Sequence, residues 1–498
     1  MLTTDTLPYD VLATVDLGSN SFRLQVSRLV EDQLYTLDAL KDTVRLGAGL
    51  GTDKILDEDT QTRALACLAR FGERLRGLAP GQVRVVGTNT LRVAKNSVDF
   101  IARAEALLGF PIEIIAGREE ARLIYLGAAH SLPATRERRL VVDIGGGSTE
   151  FIIGSQFRAL VTESLPLGCV SYSLRFFPEG KLSKNQFRDA TLAARSEIQR
   201  IRQAFRPEEW QLAVGTSGTA RSLRDILEIN DYSSDDITLA GMEQLRLELI
   251  KRGNIKNVNL NGLKSDRAPV LPGGLAIMIG IFEELGISKM TVAEGALRDG
   301  VLYDLMGRQR EHDMRETSVT QFCRRYHADM AQVTRVMTLA ERLFRMVSGD
   351  DLDQDWLKLL LWGARLHEIG LTISHTAYHK HSAYILQYAD MPGFSKREQN
   401  ALAQIVLGHR GDMGKLSAYV NEHLLWRAIV CLRLAVLFFR SRHDSSLPVT
   451  LDLKPAARGF TLTVERDWLK ASPLTANAIL QEVQQWKNIG YSLELVQI

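Results

Sequence analysis

Two short stretches constrain the fold of this 498-residue chain more than any other feature. Asp16-Leu-Gly-Ser-Asn-Ser21 and Asp143-Ile-Gly-Gly-Gly-Ser-Thr-Glu150 each end an apolar run with an acid, then glycine, then small hydroxyl residues, 127 positions apart. An acid at the end of a buried strand is costly unless a cation pairs with it. Glycines just after the strand let backbone N–H groups approach a polyanion with no Cβ in the way. Two such turns facing each other, with "GTSGT" (215–219) and "AEGALRDG" (293–300) as further glycine turns, would line a cleft with phosphate donors. The duplication therefore predicts two walls of one phosphate site. Neither GxxxxGK[ST] nor GxGxxG occurs, so the chain is not a P-loop or dinucleotide-fingerprint protein.

The pattern around each turn supports a repeated half-domain. "VLATVDLGSNSFRLQVSRLV" reads as strand, glycine turn and alternating strand, and "LYTLDALKDTVRLGAGL" adds a third strand. A helix follows from Asp57 to about Leu78, with Leu65, Leu68, Phe71 and Leu75 at helical spacing. Strand and helix then alternate to "EEARLIYLGAA". After a polar linker at 131–139 the same order restarts with "LVVDIGGGSTEFIIG", includes a helix over 184–205, and closes at "MTVAEGALRDGVLYDL". A β-meander followed by α/β alternation points to mixed sheets flanked by helices.

Beyond the charged stretch "GRQREHDMRETS" the periodicity turns helical, and from about Leu447 strands return around one helix. The expected domains are residues 1–130, 131–308, a helical domain 309–445 and a small α/β domain 446–498. Residues 1–308 carry 38 Lys+Arg against 39 Asp+Glu, and residues 309–498 carry 23 against 20. Neither region has the basic excess of a nucleic-acid binder. Nine of the ten histidines lie in the second region, so the two regions differ in chemistry. The longest apolar stretch, Gly273–Phe282, is short for a bilayer span, and "MLTTDTLPYD" has no signal-peptide pattern. Four scattered cysteines without a CxxC pair fit a reducing cytoplasm and no structural zinc.

"VDLGSNSF", "GTNTLR", "IIAGREEARLIYLG", "VVDIGGGSTE", "GTSGT" and "EGALRDGVLY" resemble the exopolyphosphatase/guanosine pentaphosphate phosphohydrolase family. The resemblance covers nearly the whole chain. It implies duplicated actin/Hsp70/sugar-kinase-like (ribonuclease H-like) domains, then an HD-like helical domain and a small α/β cap. It also implies hydrolysis of a terminal phosphoanhydride with Mg²⁺, and a homodimer.

By the same resemblance Glu120 matches the glutamate that activates water, while Glu119 beside it stays structural. Asp143 and Glu150 match the acids that hold or orient Mg²⁺, and Asp16 is the equivalent acid on the first wall. Gly18, Ser19, Asn20 and Ser21 should cradle phosphate, as should Gly145, Gly146, Gly147 and Ser148, with Gly215, Ser217, Gly218 and Thr219 nearby. Arg45 and Arg92 are the expected cationic partners. The motifs look closer to the exopolyphosphatase members, which act on inorganic polyphosphate. The alternative is conversion of guanosine pentaphosphate (pppGpp) to the tetraphosphate. More remote readings are a non-catalytic ligand sensor and a sugar-type kinase.

In the helical region "ARLHEIGL", "HKHSAYIL" and "LGHRG" follow the order of HD phosphohydrolases, which bind metal through His and Asp. Glu368 replaces the Asp after His367, and Val436 stands where a later Asp is expected. Literal HD pairs at His312-Asp313 and His443-Asp444 lack the flanking apolar context. The expectation is a relic scaffold whose histidines are hydrogen-bonded or line an anion channel, with a second metal site as the rival.

Overall fold

The structure, a computed structural model, describes the chain except residues 1–8, 31–32, 134, 235, 310–312, 420 and 445–446. The N-terminal decapeptide read above lies largely outside the described residues, and so does His312. Two compact units emerge, Met1–Asp313 and Met314–Ile498.

The first unit holds two sheets. Strands β1 (Val11–Leu17), β2 (Phe22–Val30), β3 (Gln33–Asp42), β4 (Val83–Gly87) and β5 (Ile112–Ile114) form one, in the order β3-β2-β1-β4-β5. Strands β6 (Arg139–Ile144), β7 (Thr149–Ser155), β8 (Arg158–Leu165), β9 (Leu212–Thr216), β10 (Ile237–Thr238) and β11 (Lys289–Val292) form the other. Its order β8-β7-β6-β9-β11 repeats the first, with β10 added antiparallel at the edge. In each sheet the opening hairpin pairs are antiparallel and the later strands parallel. The duplication seen in the turns is thus a duplication of topology.

Helices of the first half are α1 (Glu58–Leu75), α2 (Asn89–Val93), α3 (Ser97–Leu108) and α4 (Gly117–His130). The Asp57 side chain caps α1 by accepting from Thr60 N at 2.7 Å, and Leu65, Leu68, Phe71 and Leu75 are its buried stripe. The second half carries α5 (Cys169–Phe176), α6 (Lys184–Ile198), α7 (Ser217–Ile229), α8 (Leu239–Arg252), α9 (Leu271–Leu285) and α10 (Leu297–Gln309). Helix α6 stops at Ile198, short of the expected 205, and a 3₁₀ turn over Arg202–Phe205 completes the stretch. Ala268–Leu285 is long and apolar enough by composition to cross a membrane, contrary to the shorter stretch read from the sequence. It is 83 % buried inside the unit, however, which is how a core helix behaves.

Helices α4 and α10 cross between the halves at backbone contact. A Cβ on Gly300 would lie 1.8 Å from the Leu123 carbonyl oxygen, and one on Gly127 2.1 Å from that of Ala296. Glycine is what lets these helices touch. A small core of Val86, Ile124, Ile152, Val214 and Val301 joins strands of both sheets there.

In the second unit six helices come first: α11 (Met314–Arg325), α12 (Met330–Ser348), α13 (Gln354–Leu366), α14 (Tyr378–Tyr388), α15 (Lys396–Gly408) and α16 (His423–Phe438). A sheet of β12 (Leu451–Ala456), β13 (Gly459–Val464) and β14 (Ser492–Gln497) follows, with α17 (Arg466–Ala471) and α18 (Pro473–Asn488). Trp486 of α18 meets Trp426 of α16 at 5.6 Å and Phe460 at 5.3 Å between ring centroids. One apolar core therefore spans the helices and the small sheet.

Candidate active site

Strands β1 and β6 end in the two acidic turns, and their hairpins share one register. Asp16 pairs with Arg23, and Asp143 with Glu150. A Cβ on Gly18 would lie 3.1 Å from the Ser21 carbonyl oxygen, and one on Gly145 3.1 Å from that of Ser148. The two turns also meet each other. A Cβ on Gly146 would be 2.9 Å from the Ser19 Cβ, and one on Gly147 2.5 Å from Asn89 Oδ1. A side chain at either glycine would push the walls apart.

One cleft gathers Asp16, Gly18, Ser19, Asn20 and Ser21 from the first wall, and Asp143, Gly145, Gly146, Gly147, Ser148 and Glu150 from the second. Glu120 of α4 and the Ser217–Gly218 turn complete it. Ser217 adopts a left-handed conformation (φ 64°), uncommon for a residue with a Cβ, and its hydroxyl donates to the Asp143 carboxylate. A Cβ on Gly218 would collide with the Arg267 guanidinium, 1.9 Å away, so this glycine makes room for a cation.

Four expected residues lie elsewhere. Arg45, also left-handed at φ 55°, caps a short 3₁₀ turn and faces a separate pocket with Asp57, Glu58 and Arg63. Arg92 stands behind Glu120, donating to the Ile115 carbonyl at 2.7 Å and reaching Glu120 Oε2 at 3.4 Å. Gly215 is interior to β9, against Ala220 and Met290. Thr219 is buried, and its hydroxyl donates to the Ile144 carbonyl at 3.0 Å. Strand and helix packing consumes the last two, because "GTSGT" spans a strand end, one exposed turn and a helix start.

The sequence reading missed the cations of the cleft, Arg23, Arg221, Arg267 and Arg298. A signal existed for Arg23, since the 127-residue offset that maps Asp16 onto Asp143 also maps Arg23 onto Glu150. No comparable signal marks Arg221 and Arg267, which arrive from α7 and from the loop before α9.

Burial dominates the electrostatics. It pushes Asp16 up to about 6, against the pull of Arg23 and Arg298, and leaves its Oδ1 with no hydrogen-bond partner. Glu120 is pushed up to about 7 by burial, with Arg92 opposing and the charges of Asp16 and Asp143 adding. Glu150 lies well above the usual range through burial and then through Glu120 and Asp143; Ser164 donates to its Oε1 at 2.8 Å. Asp143 is raised by burial, partly offset by Ser217, Arg221 and Arg23. Arg23 is lowered to about 10 by burial and by neighbouring Arg298. Acids without enough cations face arginines without enough anions.

That imbalance fits Mg²⁺ together with phosphate. Among the described residues no three His, Cys, Asp or Glu side chains form a closed ligand set. Mg²⁺ does not ask for one, since one or two carboxylates, water and phosphate oxygens suffice. The orphaned Asp16 oxygen and the mutually repelling Asp143 and Glu150 are suited to such a shared ion.

In the second unit His367, His379 and His409 are buried, with rings 5.2 Å (367–409) and 6.1 Å (379–409) apart. His367 Nδ1 contacts the Ala364 carbonyl at 2.7 Å and His409 Nδ1 that of Val406 at 2.5 Å. Glu368, the residue in place of the HD aspartate, is held by Arg442, and Asp444 of the literal HD pair by Arg335 at 3.0 Å. His379 instead shares a pocket with Lys380, Arg410 and Lys415. It is pushed down to about 4 by burial and then by Lys415, Arg410 and Lys380; Lys415 is pushed down to about 8 by burial, Arg433 and Lys380.

Residues 25–309 match the Ppx/GppA phosphatase family, and residues 314–483 match domain III of that phosphatase. Guanosine-5'-triphosphate,3'-diphosphate pyrophosphatase of Pseudoalteromonas translucida is 39 % identical over 495 residues, covering 97 % of this chain and 98 % of the relative. The crystal structure of an exopolyphosphatase from Cytophaga hutchinsonii superposes with a TM-score of 0.54 at 25 % identity, over 60 % of this chain and 98 % of that one. A Ppx/GppA enzyme of Aquifex aeolicus aligns at 26 % identity and TM-score 0.48, over 59 % of this chain and 98 % of that one.

The chain belongs to the Ppx/GppA phosphatase family, phosphoanhydride hydrolases of the actin-like ATPase fold. The preference for the exopolyphosphatase branch, drawn from the motifs, finds no support in this near-full-length relative, which carries the guanosine name.

Proposed function

We propose that the chain hydrolyses the terminal phosphoanhydride of guanosine-5'-triphosphate,3'-diphosphate, releasing orthophosphate and guanosine tetraphosphate. The observation that carries the substrate is the 39 % identity to a pyrophosphatase of that name over 97 % of the chain. The cleft supports the chemistry. Backbone N–H groups of the turns at 18–21 and 145–148, with Arg23, Arg221, Arg267 and Arg298, suit a polyanion.

Glu120, pushed up to about 7, is matched to taking a proton near neutral pH. As water attacks the terminal phosphorus, its oxygen forms the new P–O bond, the bond to the bridging oxygen breaks, and the water proton passes to the Glu120 carboxylate. Asp16, Asp143 and Glu150 would hold Mg²⁺, which when bound supplies charge neutralisation to the phosphoryl oxygens.

The cationic pocket of His379, Lys380, Arg410 and Lys415 favours a second reading, in which long inorganic polyphosphate is the substrate and this pocket grips the chain. Phosphate release from the guanosine substrate and from long polyphosphate, measured side by side with Mg²⁺, decides between them. A higher kcat/KM for the guanosine substrate is expected. The reverse order, with Lys415→Ala slowing only the long polymer, would overturn the proposal in favour of the polymer.

A further inference from the structure

Glu119 and Glu120 are consecutive in the first turn of α4, and both are buried. Their surroundings differ. Glu119 receives a fork from Arg122, Nε and a terminal nitrogen each at 2.8 Å. The same guanidinium donates to Asp304 of α10. Asp304 also accepts from Arg84 of β4 at 2.6 Å and from Arg308 Nε at 3.1 Å, and Arg84 donates to Glu113 at 3.0 Å. Burial pushes the Asp304 carboxyl up, but Arg122, Arg84 and Arg308 outweigh it and hold the group well below the usual carboxylate range. Three arginines and three carboxylates thus make a charge-balanced buried network.

Glu120 has no comparable hold, only the 3.4 Å approach of Arg92. Its place in the cleft is therefore set by the pose of α4. The network ties α4 to two other elements that supply the cleft: β4, which leads into Thr88 and Asn89, and α10, which begins at Leu297 and Arg298.

We propose that Asp304 and Arg122 are positioning residues, bracing α4 from behind so that the Glu120 carboxylate stays aimed at the water. The proposal rests on the assignment of Glu120 as the base. A displacement of about 1 Å at a reacting group costs on the order of 10²-fold in rate, so a loosened brace should act on kcat while leaving the phosphate turns, and hence KM, in place.

The test is kinetics on the full chain with Asp304→Asn, Glu120→Gln and the double variant. Asp304→Asn leaves buried arginines short of a counter-charge, so Arg122→Lys, which keeps the charge and removes the fork, is run beside it. The expected result for Asp304→Asn and for Arg122→Lys is a kcat lowered roughly 10- to 100-fold with KM within about twofold. In the Glu120→Gln background neither change should lower kcat further, because the group being aimed is gone. Equal fold losses in both backgrounds, or wild-type kcat in folded Arg122→Lys, would reduce the network to a structural role and overturn the proposal. A Glu120→Gln enzyme with full kcat would instead overturn the base assignment on which it stands.

Discussion

The first wall of the cleft sets Asp16 opposite Arg23, whereas the second sets Asp143 opposite Glu150, on hairpins of the same register. The single reversal of charge separates their chemistry. On the first wall the arginine pulls the aspartate back against the effect of burial, leaving it at about 6. On the second, burial and like charge drive Glu150 well above the usual range. A duplicated scaffold with one opposite residue thus yields one wall suited to phosphate and one suited to a cation. Glu120, from the helix between them, feels burial first and then the aspartates of both walls.

The largest effect should come from the residue between the walls. Glu120→Gln keeps shape and removes the base, so kcat should fall by ~10²–10⁴-fold while substrate binding persists. Next come the walls themselves. Glu150→Gln should raise the Mg²⁺ concentration for half-maximal rate by roughly 10- to 100-fold, the range typical of altered metal surroundings. Arg23→Gln should leave that concentration unchanged and raise KM by about tenfold, as loss of a charge-assisted contact does. A Mg²⁺ titration of both variants breaks the comparison if the two phenotypes are exchanged.

A smaller effect concerns pH. With Glu120 at about 7, kcat/KM should rise through neutrality and level off above it. Arg92 lowers the Glu120 value, so Arg92→Gln should move this limb to higher pH; a limb that moves down, or not at all, would remove Arg92 from the account.

The smallest effect is on stability. Glu120 is raised from 4.5 to about 7 on folding, so its ionisation opposes folding above pH 4.5, and fully above about 7. In chelator at pH 8, Glu120→Gln should therefore stabilise the protein by up to on the order of 3 kcal/mol, a few degrees in Tm, with the gain vanishing near pH 4.5. Calorimetry at the two pH values checks the sign.

Much of the fold was legible in the chain because its cues are local. Apolar runs ending in Asp16 and Asp143, glycines after each and helical spacing from Leu65 to Leu75 depend on neighbours within a few residues. The same locality made "GTSGT" look uniform, although tertiary packing exposes Ser217 and Gly218 and buries Thr219. Arg45 and Arg267 are both arginines near glycine turns, and only the folded chain shows that Arg267 reaches the cleft.

By itself, then, the sequence determined a duplicated pair of acidic glycine turns, the helix that carries Glu119 and Glu120, and a histidine-rich helical region after them. Tertiary structure decided which residues share a field. It brought Gly146 against Ser19, gave Glu119 the fork of Arg122 and left Glu120 at about 7 with Arg92 at 3.4 Å. The reason is physical: turn and helix signals act over one or two turns of chain, whereas burial and Coulomb energy depend on distances that only the packing of α4, α10 and the two sheets sets.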